Sequence, residues 1–592
     1  MPSSSLPRWN LSDLYASITD PAIDRCLLTQ ERRAERFAKT YRGKIRTRSA
    51  AQLLMALRAY ESILQETWKP EIYATLVNTA DSSPPTHGAL LQKTKTRGLA
   101  IAQHLLFFEL ELMTLEEKTL RRLMGDSRLA PYRHYLEKQL SWKPHRLSET
   151  EEKILNDKSL TGRSAFVRLF DEEFAHKMFT LKQKGKTRRL TEEEVLDRLH
   201  HPRRAERKRA AAAFTLGLKE EARRVTFVMN TLLQDKHVDD RYRKFARPEE
   251  SRHLENEIDQ ATVDAMTGAV TDAYGMVQDF YRFKRKRLRV PELFDYDRYA
   301  PITKTEQRYS FAEARELVLS SFHHFSPKFG ELTQHFFDQR WIDAPPGIGK
   351  RGGAFCMFVT PDLHPYVFLN FTGNLKQVLT LAHELGHGVH ASLARKQTLL
   401  HFDMPLTLAE TASVFAEMIV FDALRQQIQD PQERFALYVH KIESVFATVF
   451  RQVSMYKFEQ DLHAAARVEG ELPQEKISQL WRARQHEMFG RSVTLTPDYD
   501  LWWMYISHFV HTPFYVYAYA FGELLTLSLF AEYKKRGPAF VERYLAFLTA
   551  GGSQSPDELL RSFGINLRDR KFWEGGLALI QELVEEAKRI IS

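Results

Sequence analysis

Cysteine is scarce in this chain of 592 residues, which contains only Cys26 and Cys356. A secreted fold held by disulfides would show several cysteines at patterned spacings, so this composition favours a reducing compartment. The opening residues, MPSSSLPRWNLSDLYAS, contain no basic segment followed by an apolar run, which is the signature of a secretory signal. We therefore expect a cytoplasmic protein that does not depend on disulfide bonds.

Long apolar runs are absent as well. The most apolar stretch, PFYVYAYAFGELLTLSLF at 513–530, is interrupted by Glu523 and by the polar ends of tyrosine and threonine side chains. A membrane span needs about 20 consecutive, predominantly apolar residues, and charged residues within one are rare. We therefore predict a buried helix at this stretch and no association with a membrane.

The chain also lacks a strong excess of one charge, since a formal net charge of +9 is modest for this length. Three basic clusters occur, namely KQKGKTRR in the 183–189 region, RAERKRAAAA and RFKRKRLR. Each lies among glutamates or at helix-compatible spacing, which predicts solvated helix faces. A nucleic-acid site would need interleaved aromatics or a recognisable module, and neither is found, so no nucleic-acid partner is expected. A preference for acidic substrates stays open.

The chain is too long for one hydrophobic core, which normally stops growing at roughly 250–300 residues, so at least two domains are expected. Stretches such as AQLLMALRAYESILQETW carry apolar residues three and four positions apart, which predicts a mostly helical protein. Near residue 190, a threonine followed by acidic residues is typical of a helix start. A boundary there gives an N-terminal helical lobe at 1–195 and a second domain at 196–592.

The pattern changes between residues 345 and 371. The runs GAFCMFV and YVFLNF are short and rich in aromatic and β-branched residues, and the turn-like segment PDLHP separates them. They predict a small β-ribbon. A long helix should follow from near Asn374, because Asn374 and Gln377 have the spacing of a helix-capping pair.

The stretch TLAHELGHGVH lies within this predicted helix. Residues four apart share a helical face, so His383 and His387 can direct two imidazole nitrogens at one metal ion, with Glu384 beside them. The pair could instead be satisfied within a polar core. Gly386 and Gly388 each cost about 1 kcal/mol in a helix interior relative to alanine, so they indicate close approach of another element or ligand.

Two histidine nitrogens need a third ligand. The long metzincin motif would place glycine at 390 and histidine at 393, but His390 and Leu393 stand there, so that class is excluded. Downstream, the apolar segment PLTLAETASVFAEMIVFDAL contains Glu410 and Glu417, seven residues apart and so on one helical face. A metal dication is a good partner for a buried carboxylate.

We favour Glu410 as the third ligand. Glu417 would then accept a hydrogen bond from a ligand histidine. A buried carboxylate paired with an arginine is the alternative for Glu417. His390, one turn past His387, is expected to support the ligands or to pack in the core, and not to bind the metal.

HELGH followed by ETASVFAE resembles the M3 family of zinc oligopeptidases, and the detailed resemblance is to its oligoendopeptidase F branch. Four segments carry it in the family's order: FDYDRYAP near 294, GKRGGAF, FLNFTGNLKQVLTLAHELGHGVH and HFVHTPFYVYAYAFGELL. The resemblance covers residues 110 to 592, and 110–190 corresponds to the family's N-terminal helical part.

The resemblance implies a mainly α, zincin-type metallopeptidase whose helical N-terminal and C-terminal lobes surround a deep channel, with a small β-ribbon near the active site. It implies one Zn2+ per chain, held by His383, His387 and Glu410, and Glu384 as the general base that takes a proton from the attacking water. Short peptides are the expected substrates, because such a channel admits them and excludes folded proteins.

The resemblance also implies oxyanion donors from a late helix, where HFVHTPFYVYAYAFGE offers His508, His511 and three tyrosines. Tyr515 and Tyr519 are four apart and are predicted to share a helical face, whereas Tyr517 should point elsewhere. We therefore expect His508, Tyr515 and Tyr519 to be catalytic. An aromatic stripe that only packs a core is the alternative.

In GKRGGAF, two glycines precede a predicted strand and let another backbone approach closely. Gly352, Gly353, Ala354 and Phe355 could therefore pair with an extended peptide substrate by strand addition. A simple turn is the alternative. Cys356 has no evident base or oxidant nearby, so no chemistry is assigned to it.

The sequence therefore predicts a zinc oligoendopeptidase that cuts internal bonds of short peptides. An exo-acting zinc carboxypeptidase or dipeptidase uses the same chemistry and stays open. A non-catalytic peptide-binding scaffold is a third interpretation. The sequence carries no signal for an oligomeric state.

Overall fold

The computed structural model describes residues 6–183, 186–303 and 308–591, which are mostly helical with two small β-sheets. The predicted fold class is confirmed at that level. The helices of the first half are α1 Pro21–Tyr41, α2 Ala50–Ala80, α3 Pro85–Thr114, α4 Glu117–Met124, α5 Arg133–Trp142, α6 Glu149–Ser159, α7 Arg163–His176, α8 Glu192–Asp197, α9 Arg204–Tyr242, α10 Glu250–Glu255, α11 Gln260–Asp272 and α12 Tyr274–Leu288.

The helices of the second half are α13 Phe311–Phe325, α14 Pro327–Asp338, α15 Leu375–Ala394, α16 Leu399–Phe402, α17 Leu406–Ala409, α18 Thr411–Gln427, α19 Pro431–Val445, α20 Arg451–Glu469, α21 Gln474–Phe489, α22 His508–His511, α23 Tyr517–Arg536, α24 Pro538–Thr549, α25 Pro556–Arg561 and α26 Arg570–Ile590. Short 3-10 turns lie at Ile45–Thr47, Ser127–Tyr132, Lys143–His145, Arg198–His200, Asp295–Asp297 and Pro497–Leu501. A π-helical turn spans Phe446–Phe450.

Five short strands form the two sheets. The hairpin pairs β1 Phe179–Gln183 with β2 Lys186–Leu190 in antiparallel register. The second sheet contains β3 Ile342–Asp343, β4 Phe355–Met357 and β5 Tyr366–Phe368, with β5 in the centre, parallel to β3 and antiparallel to β4. Strands β4 and β5 are the two runs predicted to form a β-ribbon, so this prediction is confirmed.

The first basic cluster is not on a helix, which corrects the prediction. KQKGKTRR lies on the hairpin β1–β2, where Leu181 is buried and Lys182 is exposed. Lys184 and Gly185 of this cluster lie outside the described residues. In β1, Phe179 and Leu181 are buried while Thr180 and Lys182 are exposed, which is the period of two of a strand and not of a helix.

The other two basic clusters lie on α9 and α12 but are not simply solvated. Arg207 on α9 is buried, and its Nη2 lies 2.7 Å from Oδ1 of Asp297. Lys284 on α12 is also buried, with its Nζ 2.5 Å from Oε1 of Glu443. Their partners are distant along the chain, so the spacing of charges within each cluster does not predict these ion pairs.

The chain divides into two compact units, each assembled from three separate stretches. Unit 1 contains Met1–Lys143, Glu306–Ile428 and Leu529–Asn566, and unit 2 contains Pro144–Thr305, Gln429–Ser528 and Leu567–Ser592. In unit 1, α1, α2 and α3 contribute buried side chains to one core. Unit 2 buries four tryptophans, Trp481, Trp502, Trp503 and Trp573. The predicted domain boundary at residue 195 stays a prediction.

Among the described residues, no single helix is both long and apolar enough to cross a membrane. One pair, α3 with α4, meets the requirement of length and composition when taken together, and its two helices are bent by 101°. The apolar stretch 513–530 was expected to be a buried helix. It is one from Tyr517 onward, where α23 buries Leu524, Leu525 and Leu527.

Helix α15 carries the HELGH motif and begins where its capping residue predicts. Oδ1 of Asn374 accepts a hydrogen bond from the backbone N of Gln377 at 3.0 Å. The side chain of Gln377 turns away from the cap, because its Nε2 donates to the carbonyl oxygen of Asn370 at 2.9 Å and its Oε1 accepts from Oγ1 of Thr372 at 2.9 Å. The start of α15 is thereby tied to the chain that follows β5.

Two glycines let α15 pack closely against its neighbours. A methyl group on Gly386 would lie 2.6 Å from the carbonyl oxygen of Ala412 and 2.7 Å from Cα of Ser413, both in the first turn of α18. A methyl group on Gly388 would lie 2.5 Å from the ring of Phe336 on α14. These distances confirm the predicted close approach of other elements and bring the backbone of α18 against α15.

We expect the substitution Gly386→Ala to lower the midpoint of thermal unfolding. The new methyl group has no room beside Ala412 and Ser413, and overpacking of this kind typically costs about 1–3 kcal/mol. Gly268→Ala on α11 is the matched control, because no atom lies within 4 Å of its methyl position. Alanine there should stabilise the helix by about 0.5–1 kcal/mol. Calorimetry that gave a raised midpoint for both variants would contradict the close crossing of α15 and α18.

Candidate metal centre and active site

Three side chains converge where α15 meets the start of α18 in unit 1. Nε2 of His383 lies 3.3 Å from Oε2 of Glu410, and Nε2 of His387 lies 3.5 Å from the same oxygen. One ligand atom from each residue lies within 4.8 Å of the other two. Two ligands bound at about 2.0–2.1 Å to one tetrahedral ion are about 3.3–3.4 Å apart, so the cluster has the dimensions of a metal site.

The donor set also suits a particular kind of metal site. Two histidines and one glutamate are found in catalytic zinc sites, where a fourth position stays open for water or substrate. The side chains of His383, His387 and Glu410 are 24%, 16% and 33% exposed, so solvent can still reach them. The residues present therefore fit a catalytic zinc ion.

Glu410 lies at the junction of α17 and α18 and is oriented by a neighbour. Oγ of Ser413, one turn later, donates a hydrogen bond to its Oε2 at 2.7 Å. Burial disfavours the charged carboxylate, but the hydrogen bonds from His383 and His387 outweigh it and hold the pKa of Glu410 well below its usual value. The carboxylate is therefore kept ionised and directed at both imidazoles.

Glu417 supports one of these histidines. Nδ1 of His383 lies 2.6 Å from Oε1 of Glu417. Such a bond keeps the proton on Nδ1 and leaves Nε2 available to a metal ion. Burial opposes a charge on His383, yet its hydrogen bonds with Glu410 and Glu417 raise its pKa well above the usual value. The spacing of the two glutamates predicts this arrangement.

Glu384 follows His383 on α15 and is only 6% exposed. Burial raises the pKa of its carboxyl group, and positive charge on His383 or His387 would oppose that shift. Within the described part of the chain, no protein group forms a hydrogen bond with this carboxylate. A carboxylate beside the candidate ligands is thus available to a water molecule.

His390 is placed differently from the ligand histidines. It is 2% exposed, and burial, followed by the charge of His387, lowers its pKa to about 3. Its Nδ1 has no hydrogen-bond partner among the described residues. It is not part of the three-residue cluster, which favours the core alternative over a role in supporting the ligands.

The glycine-rich segment precedes an open strand edge. β4 pairs with β5 on one side, and no other described strand pairs with it. Gly353 has a φ of +81°, which favours glycine, and a methyl group at Gly352 or Gly353 would meet no atom within 4 Å. Nδ2 of Asn370 donates to the carbonyl oxygens of Arg351 and Gly353 at 2.9 Å each. The segment is therefore held in place while its outer side is open.

Cys356 links this strand to the candidate metal centre. It lies in the middle of β4, and burial, followed by the charge of Glu384, raises the pKa of its thiol well above the usual value. The strand edge and Glu384 therefore lie near each other within unit 1. The raised pKa also disfavours the reactive thiolate, in agreement with assigning no chemistry to Cys356.

His508, Tyr515 and Tyr519 come together in unit 2. Nε2 of His508 lies 3.3 Å from Oη of Tyr519, and the ring centre of Tyr515 lies 6.1 Å from that of His508 and 5.0 Å from that of Tyr519. All three side chains are partly exposed. Burial, followed by the positive charge of Arg451, lowers the pKa of His508, so its imidazole is neutral near pH 7. A neutral imidazole and two phenols thus share one small surface.

The backbone element that positions Tyr515 in this cluster differs from the predicted helix. α23 begins at Tyr517, so Tyr515 precedes the helix and does not share a helical face with Tyr519. Phe514 has a φ of +59°, and its backbone N donates to Oε1 of Glu459 at 2.8 Å. A bend at Phe514, and not helical spacing, sets the position of Tyr515.

Tyr517 points away from this cluster, as its spacing predicts. It is fully buried, and its Oη accepts a hydrogen bond from Nδ2 of Asn256 at 2.8 Å and lies 2.9 Å from Nδ1 of His253. His511 is exposed, with its Nε2 2.6 Å from Oδ1 of Asp171. Neither residue therefore contributes a donor to the surface formed by His508, Tyr515 and Tyr519.

Sequence reasoning missed Glu459 and Ser413, which hold other site residues in place. A signal existed for Glu459, because it is an acidic residue among the apolar residues Met455, Phe458 and Leu462 at helical spacing. The same signal led to Glu410 and Glu417. Ser413 gave no signal, because a serine in a first helical turn usually caps the helix or faces solvent.

Comparisons with known proteins agree with this geometry. The sequence model described as Peptidase family M3 matches residues 198–579, and the one described as Oligopeptidase F matches residues 111–179. Among curated proteins, Oligopeptidase PepF of Bacillus subtilis is 24% identical over 98% of this chain and 87% of its own. The similarity therefore extends over nearly the whole sequence and includes both histidines of the candidate metal centre.

Solved structures share the fold. A protein from Chlamydophila abortus has a TM-score of 0.86 at 24% identity, covering 99% of this chain and 98% of its own. Oligoendopeptidase-F from Enterococcus faecium has a TM-score of 0.73 at 21% identity, covering 96% of this chain and 98% of its own. Because the M3 model spans more than half of the sequence, and the cluster of His383, His387 and Glu410 lies within the matched region, this chain belongs to peptidase family M3.

Proposed function

We propose that this protein is a zinc-dependent oligoendopeptidase that hydrolyses internal bonds of short peptides. The observation that carries the proposal is the convergence of three ligand atoms, from His383, His387 and Glu410, beside a buried glutamate that no described protein group engages. Membership of a peptidase family supports the reaction class. The names of the curated relatives support peptides as substrates.

The proposed roles follow from the donor chemistry. A bound zinc ion would supply Lewis-acid polarisation of the scissile carbonyl and of the attacking water. Glu384 would take a proton from that water at its carboxylate and later deliver it to the nitrogen of the leaving amine. Glu417 would hold the proton of His383 on Nδ1, so that Nε2 keeps its lone pair for the metal.

The cluster of His508, Tyr515 and Tyr519 would stabilise negative charge on the carbonyl oxygen. A phenol with an ordinary pKa of about 10 is a neutral donor throughout the physiological range. Donors that are held in place before the reaction bind the transition state more tightly than the substrate. The His508–Tyr519 contact at 3.3 Å supports such a preformed arrangement.

The segment Gly352, Gly353, Ala354 and Phe355 would hold the peptide backbone. An edge strand presents unpaired backbone donors and acceptors, with which an extended peptide can pair. The open space beside both glycines supports this role. It would place the substrate along β4, near Glu384.

The exo-acting alternative and the scaffold alternative are separated by product masses. N-acetylated peptides of graded length, from about five to about 25 residues, are incubated with the zinc-loaded protein, and casein serves as the long unfolded substrate. Fragments from internal cleavage, with intact casein, are expected for an oligoendopeptidase. Release of single residues or dipeptides from one end would favour the exo-acting alternative. Intact peptides, together with a protein that lacks stoichiometric zinc as purified, would favour a scaffold.

Glu384→Gln tests the general base. The amide is nearly isosteric, and Glu384 is not one of the proposed ligands, so zinc content should stay at one ion per chain. Peptidase activity should fall by at least about 10²-fold, the lower end for removing a general base. The measurement pairs metal analysis with initial rates on one peptide. Near-normal turnover by the zinc-loaded variant would falsify the role of Glu384.

Glu410→Gln and Glu417→Gln test the two glutamates against each other. Glutamine at 410 replaces an anionic ligand by a neutral one, so zinc affinity should fall by more than it does in the Glu417→Gln variant. Loss of a group that supports a ligand typically costs about 10–100-fold in metal affinity. Competition with a chelator gives both constants. If the Glu410→Gln variant binds zinc as the wild type does, another carboxylate is the third ligand.

Tyr515→Phe, Tyr519→Phe and Tyr517→Phe test the oxyanion donors. Loss of a donor at 515 or 519 should lower kcat by about 10²–10³-fold with little change in KM or zinc content. His508→Ala should behave similarly. Tyr517→Phe should keep kcat but lower stability by about 1–3 kcal/mol, because His253 and Asn256 lose their buried partner. A large loss of kcat at 517, with none at 515 and 519, would reverse the assignment.

A further inference from the structure

A positively charged side chain, Arg451 at the start of α20, has no carboxylate partner among the described residues. The π-helical turn Phe446–Phe450 leads directly into Arg451, and such turns are frequent at functional sites. Nη2 of Arg451 donates to Oη of Tyr505 at 3.0 Å, and Nη1 donates more weakly to Oη of Tyr299 at 3.4 Å. Arg451, Tyr299 and Tyr505 are all partly exposed.

Two other enclosed cations in unit 2 are paired with carboxylates. Arg207 pairs with Asp297 at 2.7 Å, and Lys284 pairs with Glu443 at 2.5 Å. Arg451 differs, because no carboxylate forms an ion pair with it in the described part of the chain. Enclosed charges are normally paired, so the lack of a described carboxylate beside Arg451 points to an anion from outside the chain.

A second guanidinium adds to the positive charge. Arg298 is 5% exposed, and its Nε donates to the carbonyl oxygen of Asp295 at 3.0 Å. Its guanidinium carbon lies 4.8 Å from the ring centre of Tyr499 and 5.1 Å from that of Tyr299. It also has no carboxylate in ion-pairing range among the described residues. Burial disfavours ionisation of Tyr299, yet Arg451 and Arg298 outweigh it and lower the pKa of this phenol.

Arg451 retains the donors that a carboxylate needs. A guanidinium has five N–H donors in a planar fork, and Tyr299 and Tyr505 take one each. The remaining three hydrogens have no acceptor among the described residues. Two parallel N–H groups of one fork can bind both oxygens of a carboxylate, which is the geometry in which arginine binds that group most strongly.

The surroundings indicate which carboxylate is available. Tyr505, which accepts a hydrogen bond from Arg451, lies three residues before His508. The positive charge of Arg451 also contributes to the lowered pKa of His508. His508 is one of the groups proposed to face the scissile carbonyl. A peptide bound at His508 would therefore lie near Arg451.

We propose that Arg451, held between Tyr299 and Tyr505, binds a carboxylate group of the peptide substrate. This inference rests on the proposed peptidase function and names the substrate feature that the same site selects. The carboxylate has two sources, the free C-terminus of the peptide or the side chain of an aspartate or glutamate. Recognition of the C-terminus would fix the distance from the chain end to the bond that is cut.

Two matched pairs of peptides separate these sources. The first pair is an N-acetylated hexapeptide of alanine and phenylalanine with a free C-terminal acid or with a C-terminal amide. The second pair is C-amidated and differs by one glutamate or glutamine, placed at each position in turn. KM and kcat are measured for the wild type in a buffer free of phosphate and sulfate. Dissociation constants for the same peptides are measured by calorimetry with the Glu384→Gln variant.

The acid of at least one pair should bind about 10- to 100-fold more tightly than its amide, the range for a charged hydrogen bond, with the difference in KM and not in kcat. Arg451→Gln should abolish this ratio, and Arg451→Lys, which keeps the charge but not the fork, should reduce it. Lys457→Gln is the control, since it removes a positive charge from another face of α20 and should leave the ratio unchanged.

The results distinguish this inference from the proposed function. A protein that cuts no peptide, yet binds the acid more tightly than the amide, would refute the peptidase and keep the carboxylate site. Equal binding of acid and amide in both pairs overturns the site, whatever the turnover, and it does so on the wild type alone if Arg451→Gln does not fold. A ratio that survives in a folded Arg451→Gln variant also overturns it.

Discussion

The close crossing of α15 with the first turn of α18 is the contact on which the candidate metal centre depends. His383 and His387 are positioned by one helix, but Glu410 and Glu417 reach them only because the backbone of α18 lies against Gly386. A β-carbon at that position would meet a carbonyl oxygen at 2.6 Å, well inside van der Waals contact. Glycine at position 386 lowers the intrinsic stability of the helix, but it lets the carboxylate of Glu410 come close to two imidazoles.

Charge compensation organises both units, but in opposite senses. In unit 1, the carboxylates of Glu384, Glu410 and Glu417 lie beside the imidazoles of His383 and His387, so acidic groups outnumber the two histidines. In unit 2, Arg298 and Arg451 lie against phenols and aromatic rings, and no carboxylate of the described residues forms an ion pair with either guanidinium. Each site is incomplete as a set of protein charges. A dication would complete the first, and a substrate carboxylate would complete the second.

The parts of this protein that could be predicted are those that local spacing determines. The i to i+4 spacing of His383 and His387, the cap at Asn374 and the aromatic runs of β4 and β5 each involve residues a few positions apart. Glu410 could be proposed as a ligand although a loop separates it from His387, because a buried acidic residue in an apolar segment needs a partner such as a metal dication. The prediction of a helix at KQKGKTRR was wrong, because Leu181, which precedes this cluster, is buried together with Phe179 in the alternating pattern of β1, and the spacing of charges does not show that pattern.

Contacts between distant parts of the chain could not be predicted. The position of Tyr515 depends on Phe514, whose φ of +59° is held by Glu459, a residue 55 positions earlier. The pairing of Lys284 with Glu443 spans 159 positions, so the basic cluster on α12 could not by itself predict that Lys284 is buried. Nothing in either local segment encodes such pairs. They arise only when the helices pack.

Two buried anchors on either side of Tyr515 fix the backbone that carries the cluster around His508. Glu459 holds the backbone at Phe514, and the Tyr517 hydroxyl, in contact with His253 and Asn256, fixes the first residue of α23. Burial raises the pKa of Glu459 to about 8, so this carboxyl group is largely protonated near pH 7 and adds little charge to the interior. Because both anchors are buried, they hold the backbone on either side of Tyr515 in place. If Tyr515 and Tyr519 are the proposed oxyanion donors, a backbone fixed in this way would limit their reorganisation when negative charge develops beside them, which is the condition under which a hydrogen bond stabilises a transition state most.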